Sequence, residues 1–232
     1  SSGGNPVITD NVISDCNEYG IWLDIPVVNH NVSGNVISNG TSYLARLDPM
    51  AVENFILNNT VNSNPSGQYN AYFIEEGYIT DSTVWPVLPS GHVYYITGRD
   101  YSVRVEGVNN PELLIEPGSI VKIGKTFFYD ALYFAIGLNN PGILTAKGVY
   151  FTAASDDALG GDSNGDGSAT IPGSGYWSSL YFGASSSGSV LDSCFIRYGG
   201  AGHNYSPNNA AVYIVGGSPT ISRCEFDSNN TS

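Results

Sequence analysis

The chain has 232 residues, 41% of them hydrophobic, which is enough to bury a core of its own. Only 12% are charged, and the formal net charge of −13 leaves eight Lys and Arg against 21 Asp and Glu. Such a surface repels phosphate backbones and anionic lipid, so nucleic acid is excluded as a partner, and no apolar run is long enough for membrane insertion.

Polarity comes instead from Asn, Ser, Thr, Gly and Tyr, a palette that suits solvated β surfaces and tight turns and disfavours helix interiors. Residues 3–15 read GGNPVITDNVISD and contain a first alternating strand at Val12-Ile13, followed by another at Ile21-Trp22-Leu23. Weaker copies of the same unit follow at 31–48 (NVSGNVISNGTSYLARLD) and 52–63 (VENFILNNTVNS). From Trp85 to Ile123 the pattern is less regular. Short strands are expected there at His92–Thr97, Ser102–Glu106, Leu113–Ile115 and Ile120–Ile123, broken by Gly and Pro. The unit returns at 189–200 (SVLDSCFIRYGG) and at 216–228 (GGSPTISRCEFDS), with Val212-Tyr213-Ile214 between them.

Equivalent positions recur roughly every 20 to 30 residues, the range of solenoid repeats. Helical periodicity is not sustained anywhere, so helical crossovers between parallel strands have no sequence to build them. A coil whose strands pair with those of the next coil through turns alone resolves this. The expected fold is therefore all-β, a right-handed parallel β-helix with an irregular strand-rich middle. The expected division is coils over 1–84, an irregular β segment over 85–150 opening a second section, and coils again over 151–232.

Coils of the PVITDNVISDCNEYGIWLD type resemble the parallel β-helix repeat of the pectate-lyase-like superfamily. The run IEPGSIVKIG (115–124), GILTAKGVYFTAASDDALGGDSNGDG (142–167), YWSSLYF (176–182) and LDSCFIRYGG (191–200) is similar to a cassette of large secreted β-helix proteins of bacteria and archaea. The resemblance implies an extracellular or cell-surface location and is nearly silent on chemistry. Both end units are of the GG-polar-Pro class without a visible cap, as expected of a segment excised from a longer protein. Self-association through the end coils, head to tail as in a fibre, is the matching expectation.

One segment carries a chemical motif. Asp162, Asn164 and Asp166, followed by Gly167, fit the first half of an EF-hand-type calcium loop, with Ser168 where such a loop offers a backbone carbonyl. The twelfth position is Gly173 rather than Glu and the flanks are not helical, so this is no EF-hand. The expected alternative is a compact Ca2+ site in the loop 156–168, completed by Asp156 or Asp157, with a structural role. An acidic, Gly-rich turn without metal explains the same residues.

Other candidates carry less. Glycoside hydrolysis needs paired carboxylates in a groove, and the available parts are Asp192, Arg197, Tyr198, His203 and Tyr205, which also read as ordinary strand and turn residues. His30, His92 and His203 lack metal spacing and read as turn or surface residues. Cys16, Cys194 and Cys224 are too few for a disulfide scaffold and show no zinc spacing. Cys194 and Cys224 occupy equivalent repeat positions, where buried thiols or a disulfide both fit. Glycan acceptor sequences occur at Asn31, Asn39, Asn58, Asn204, Asn229 and Asn230. Sixteen Tyr with Trp22, Trp85 and Trp177 supply either core or a polysaccharide-binding strip. The expected function is a non-enzymatic structural or adhesive segment. A carbohydrate-binding module is the alternative, and a β-helix lyase or glycosidase stands behind that.

Overall fold

The computed structural model describes residues 6–24, 31–96, 101–125, 132–202 and 210–230. His30, His203, Asn204 and Tyr205 lie outside the described residues.

The chain winds as a parallel β-helix-like solenoid of short strands, and all strand pairings among the described residues are parallel. One face is an eight-stranded sheet built from Trp22–Leu23, Ala45–Leu47, Ala71–Ile74, Val93–Ile96, Ile120–Ile123, Tyr150–Ala153, Phe195–Arg197 and Glu225–Asp227, one strand per coil. A second face has five strands, Gly77–Ile79, Tyr101–Val105, Leu132–Ile136, Leu180–Phe182 and Val212–Ile214. The third has Thr83–Trp85, Glu112–Ile115, Ile143–Lys147, Val190–Asp192 and Thr220–Ser222. In the first coils, Val7–Thr9 pairs with Asn31–Ser33, and Val12–Ser14 pairs with Val36–Ser38, which in turn pairs with Thr60–Val61.

Period-2 alternation decides what each strand buries. Along the eight-stranded face, Leu23, Leu47, Ile74, Ile96, Ile123 and Ala153 stand in register and all are buried. Each larger member contributes about 1.5–3 kcal/mol by leaving water. The residue before each makes the outer column, namely Trp22, Arg46, Phe73, Tyr95, Lys122 and Thr152. A slip of one residue would exchange the two columns, so register is firmly specified.

Polar side chains lock the turns. Asn35, fully buried, accepts from the backbone and side-chain nitrogens of Asn11, 24 positions earlier, at 3.0 and 2.9 Å. Its own Nδ2 donates to Ile8 O at 2.8 Å and to Asn59 Oδ1, again 24 positions away, at 2.8 Å. Asn229 repeats the arrangement later, accepting from Gly199 N at 2.8 Å and donating to Ile196 O at 2.7 Å. A polar side chain is thus stacked inside a coil without leaving the backbone groups around it unpaired.

One helix, α1 (Val52–Asn58), departs from the expected strands of the 52–63 copy. Val52, Phe55 and Ile56 recur at helical spacing, and Val52 and Phe55 are buried by it. Asn59 ends the helix by donating its Nδ2 to Phe55 O at 2.9 Å. The helix fills the place of a strand. On the second and third faces the pairing of the early coils stops here, and new sheets begin at Gly77–Ile79 and Thr83–Trp85. Only the eight-stranded face runs through the break. Glu53 of α1 accepts from Thr83 Oγ1 at 3.0 Å and Val84 N at 2.9 Å, which satisfies the new sheet's free edge.

Asp48, just before α1, is buried, and burial pushes its carboxyl up to about 6. Asp24 and Glu75 add to the rise, and a hydrogen bond from Met50 N opposes it. A raised folded-state value means the contribution is full below the unfolded value of about 4 and is lost as pH rises through about 6. Asp48→Asn keeps the acceptor for Met50 N and should gain about 2 kcal/mol near neutral pH, with no gain below about pH 4. Urea unfolding at both pH values checks this, and an equal change at both would overturn it.

Candidate metal centre

The acidic loop follows Tyr150–Ala153 and lengthens its coil. Register partners elsewhere, from Ala71–Val93 to Leu180–Val212, lie 22 to 32 residues apart, whereas Leu144 and Ser189, hydrogen-bonded at 3.1 Å, are 45 apart. The extra chain does not hang free but folds back over the outer face of the eight-stranded sheet. That is why Lys122 and Thr152, which belong to the outer column, are fully buried.

Asp157, Asp162 and Asp166 each bring a carboxylate oxygen within 4.8 Å of the others. Asp162 is held by the loop's own backbone, accepting from Asp166 N at 3.2 Å and Gly167 N at 2.8 Å. Asn164 donates its Nδ2 to Asp166 Oδ2 at 3.0 Å, which turns its Oδ1 away from that bond. Asp157 Oδ1, Asn164 Oδ1 and Asp166 Oδ1 are all shielded from solvent and have no hydrogen-bond partner. Orphaned buried oxygens of this kind cost about 1–3 kcal/mol each, more when charged. Burial, followed by the charge of Asp162, raises the Asp157 carboxyl above its ordinary value, and Lys122 opposes the rise. A hard cation resolves all of this, because it takes six to eight oxygen ligands and favours clustered carboxylates. The donors present fit such an ion, with Asp157, Asp162 and Asp166 supplying the clustered carboxylate oxygens and Asn164 hydrogen-bonded to Asp166 beside them.

Of the residues singled out by sequence, the structure brings these four together. Asp156 faces elsewhere: its Oδ2 accepts from Thr152 Oγ1 at 2.6 Å and lies 3.6 Å from Arg197 Nη1. Ser168 is exposed. Two residues that sequence reasoning did not single out also belong to the site. Lys122 donates from Nζ to Gly161 O at 2.5 Å beneath the loop. Burial lowers its pKa to about 8, against the pull of Asp157, Asp156 and Asp162. Gln68, 94 positions before Asp162, donates Nε2 to Asp162 Oδ2 at 3.0 Å. Lys122 stood out only as the one charged residue of the strand Ile120–Ile123; nothing local marked Gln68.

Beside the loop lies a cleft of about 620 Å3, lined by Tyr95, Lys125, Asn164, Asp166, Ile171 and Tyr176. The wider aromatic set divides sharply. Trp85 and Trp177 are core residues whose indole nitrogens donate to Pro49 O at 3.1 Å and Arg197 O at 2.7 Å. Trp22 is 54% exposed, and the Arg46 guanidinium lies 4.2 Å from its ring centre and 4.8 Å from that of Phe73. Arg46 is itself paired with Glu75 through two hydrogen bonds. This outer aromatic column is therefore already engaged by a cation of the chain's own.

The remaining candidates are tied into the stack. Arg197 joins Asp227 at 3.1 Å and Tyr198 OH at 3.1 Å. Asp192 accepts from Ser222 Oγ at 2.9 Å and pairs with Arg223. His92 closes the turn Pro89–His92, its N–H donating to Pro89 O at 2.9 Å, but it is not a surface residue. It is buried, with Nε2 2.9 Å from Ser63 Oγ and Nδ1 3.5 Å from Tyr72 OH, and burial lowers its pKa. Cys194 and Cys224 are free thiols, donating to Ala146 O at 3.3 Å and Leu191 O at 3.5 Å. Cys16 is free as well. Asn31, Asn39 and Asn58 are exposed, whereas the Asn229 side chain is locked in its turn and Asn230 Nδ2 donates to Gly200 O at 3.2 Å.

No family model, no curated protein and no solved structure matches this chain.

Proposed function

We propose that this chain is a non-enzymatic, extracellular solenoid scaffold, reinforced by a Ca2+ ion held at Asp157, Asp162, Asn164 and Asp166. The observation that carries the reading is how the charged groups are used. Arg46–Glu75, Arg197–Asp227 and Arg223–Asp192 each join one coil to the next, at separations of 29, 30 and 31 residues. The acidic loop adds clustered oxygens that a cation would satisfy. Chemistry of this kind stacks coils rather than turning over a substrate. Head-to-tail association through the end coils is the matching partner mode.

Saturating Ca2+ should raise the melting temperature by about 5–10 °C, since a ligand at a hundredfold excess over Kd adds about 2.7 kcal/mol. EGTA should reverse the gain and Asp166→Asn should abolish it. A melting temperature indifferent to Ca2+ in differential scanning calorimetry would remove the ion from this reading. Electron microscopy of the protein as isolated tests association: filaments support it, and dispersed monomers oppose it. The cleft between Tyr95 and Tyr176 favours one second reading, a polysaccharide-binding surface, for which glycan-array binding is the test.

A further inference from the structure

The loop 154–175 crosses several coils rather than one. Gly160 packs so closely on Val93 that a Cβ there would stand 2.4 Å from its Cγ1, and Gly165 packs on the Tyr69 ring, where a Cβ would stand 1.8 Å from Cζ. Both glycines have positive φ, +75° and +70°, so a side chain at either would meet a strained backbone as well as the neighbour beneath it. Lys122 holds Gly161 O from below. At the far end, Tyr69 N donates to Asp162 O at 2.9 Å, and Gln68 Nε2 donates to Asp162 Oδ2 at 3.0 Å. The loop is thus an axial strap. It leaves the coil of Tyr150–Ala153, passes over those of Ile120–Ile123 and Val93–Ile96, and lands at the turn before Ala71–Ile74.

Asp162 is both a cation donor and the strap's landing point. We infer that Gln68 and Tyr69, from a coil three turns away, are positioning residues of the cation site, so that cation binding and the order of residues 64–73 are coupled. The inference rests on the Ca2+ reading above. Gln68 and Gly167 N together occupy Oδ2 of Asp162, Asp166 N takes one lone pair of Oδ1 and leaves the other for the ion, and the backbone amide of Tyr69 fixes the chain beneath it. Linkage makes the coupling reciprocal: whatever loosens Gln68 weakens the ion, and the ion in turn holds residues 64–73. Gln68 is part of a surface turn, so its replacement by alanine removes one charge-assisted bond without opening the core.

The experiment is hydrogen exchange by mass spectrometry with calorimetric Ca2+ titration, on the whole chain and on Gln68→Ala. In the parent, Ca2+ should slow exchange both in 154–175 and in 64–73. In Gln68→Ala, Ca2+ should bind about tenfold more weakly and the Ca2+-dependent protection should shrink to 154–175. Protection confined to 154–175 in the parent, or equal affinity in the variant, would overturn the coupling and leave the Ca2+ site standing. Failure of the parent to bind Ca2+ at all would overturn both.

Discussion

Replacing Trp85 by alanine should lower the unfolding free energy by about 4 kcal/mol, as expected when a fully buried indole is removed from a packed core. The ring lies 5.0 Å from Tyr94 and 6.1 Å from Phe134, the latter edge-on, so the loss opens a cavity lined by aromatics that cannot close over it. It also strips the only hydrogen bond found for Pro49 O among the described residues, and with it a tie between the segment leading into α1 and the first strand of the third face. Trp85→Phe separates the two effects, because it keeps most of the packing and should cost only about 1–2 kcal/mol. Urea unfolding followed by circular dichroism gives both values. A loss below about 2 kcal/mol for the alanine variant would mean that the coils on either side of α1 are stable without each other.

The second large effect is expected at Asn35, where Asn35→Ala should cost about 3 kcal/mol. The coils on both sides depend on this side chain: Asn11 donates to it, and it donates to Ile8 O in the coil before and to Asn59 Oδ1 in the coil after. Alanine leaves these groups facing a dry gap, and each buried orphan costs about 1–3 kcal/mol. Asn35→Asp retains an acceptor for Asn11 and loses the donors, so it should fall between alanine and the parent at low pH and near alanine at neutral pH. Unfolding midpoints for the pair decide it. Equal stability of Asn35→Ala and the parent would show that water replaces the ladder.

The strands were largely legible, because a buried face written in alternation at coil spacing has few other solutions. Val12-Ile13, Phe195-Ile196 and Val212-Tyr213-Ile214 all lie in strands, and the equivalence of Cys194 with Cys224 agrees with the register pair Leu191–Ile221, which has the same offset. VENFIL was misjudged because its apolar residues suit two strand positions as well as one helical turn, and only the place it fills in the stack selects the helix. The metal motif was half legible. Spacing brought Asp162, Asn164 and Asp166 to one turn, but whether Asp156 or Asp157 joins them depends on which way the chain leaves Ala153, and Thr152 and Arg197 draw Asp156 off. Gln68 could not have been found, since its partner is 94 positions away and it sits in no motif. The indole side chains were ambiguous for a related reason, as Trp85, Trp177 and Trp22 differ only in which face of their strand or turn is covered.

The break at α1 has a mechanical meaning. A solenoid pulled along its axis carries tension through the hydrogen-bonded ladders that link successive coils. Between the coil of Thr60–Val61 and that of Thr83–Trp85, two of the three ladders are missing, so the load converges on the pairing of Ala71–Ile74 with Val93–Ile96. The strap from Asp162 to Gln68 and Tyr69 runs outside that same junction. It therefore works in parallel with the surviving ladder, as a tie rod across the weakest cross-section of the rod.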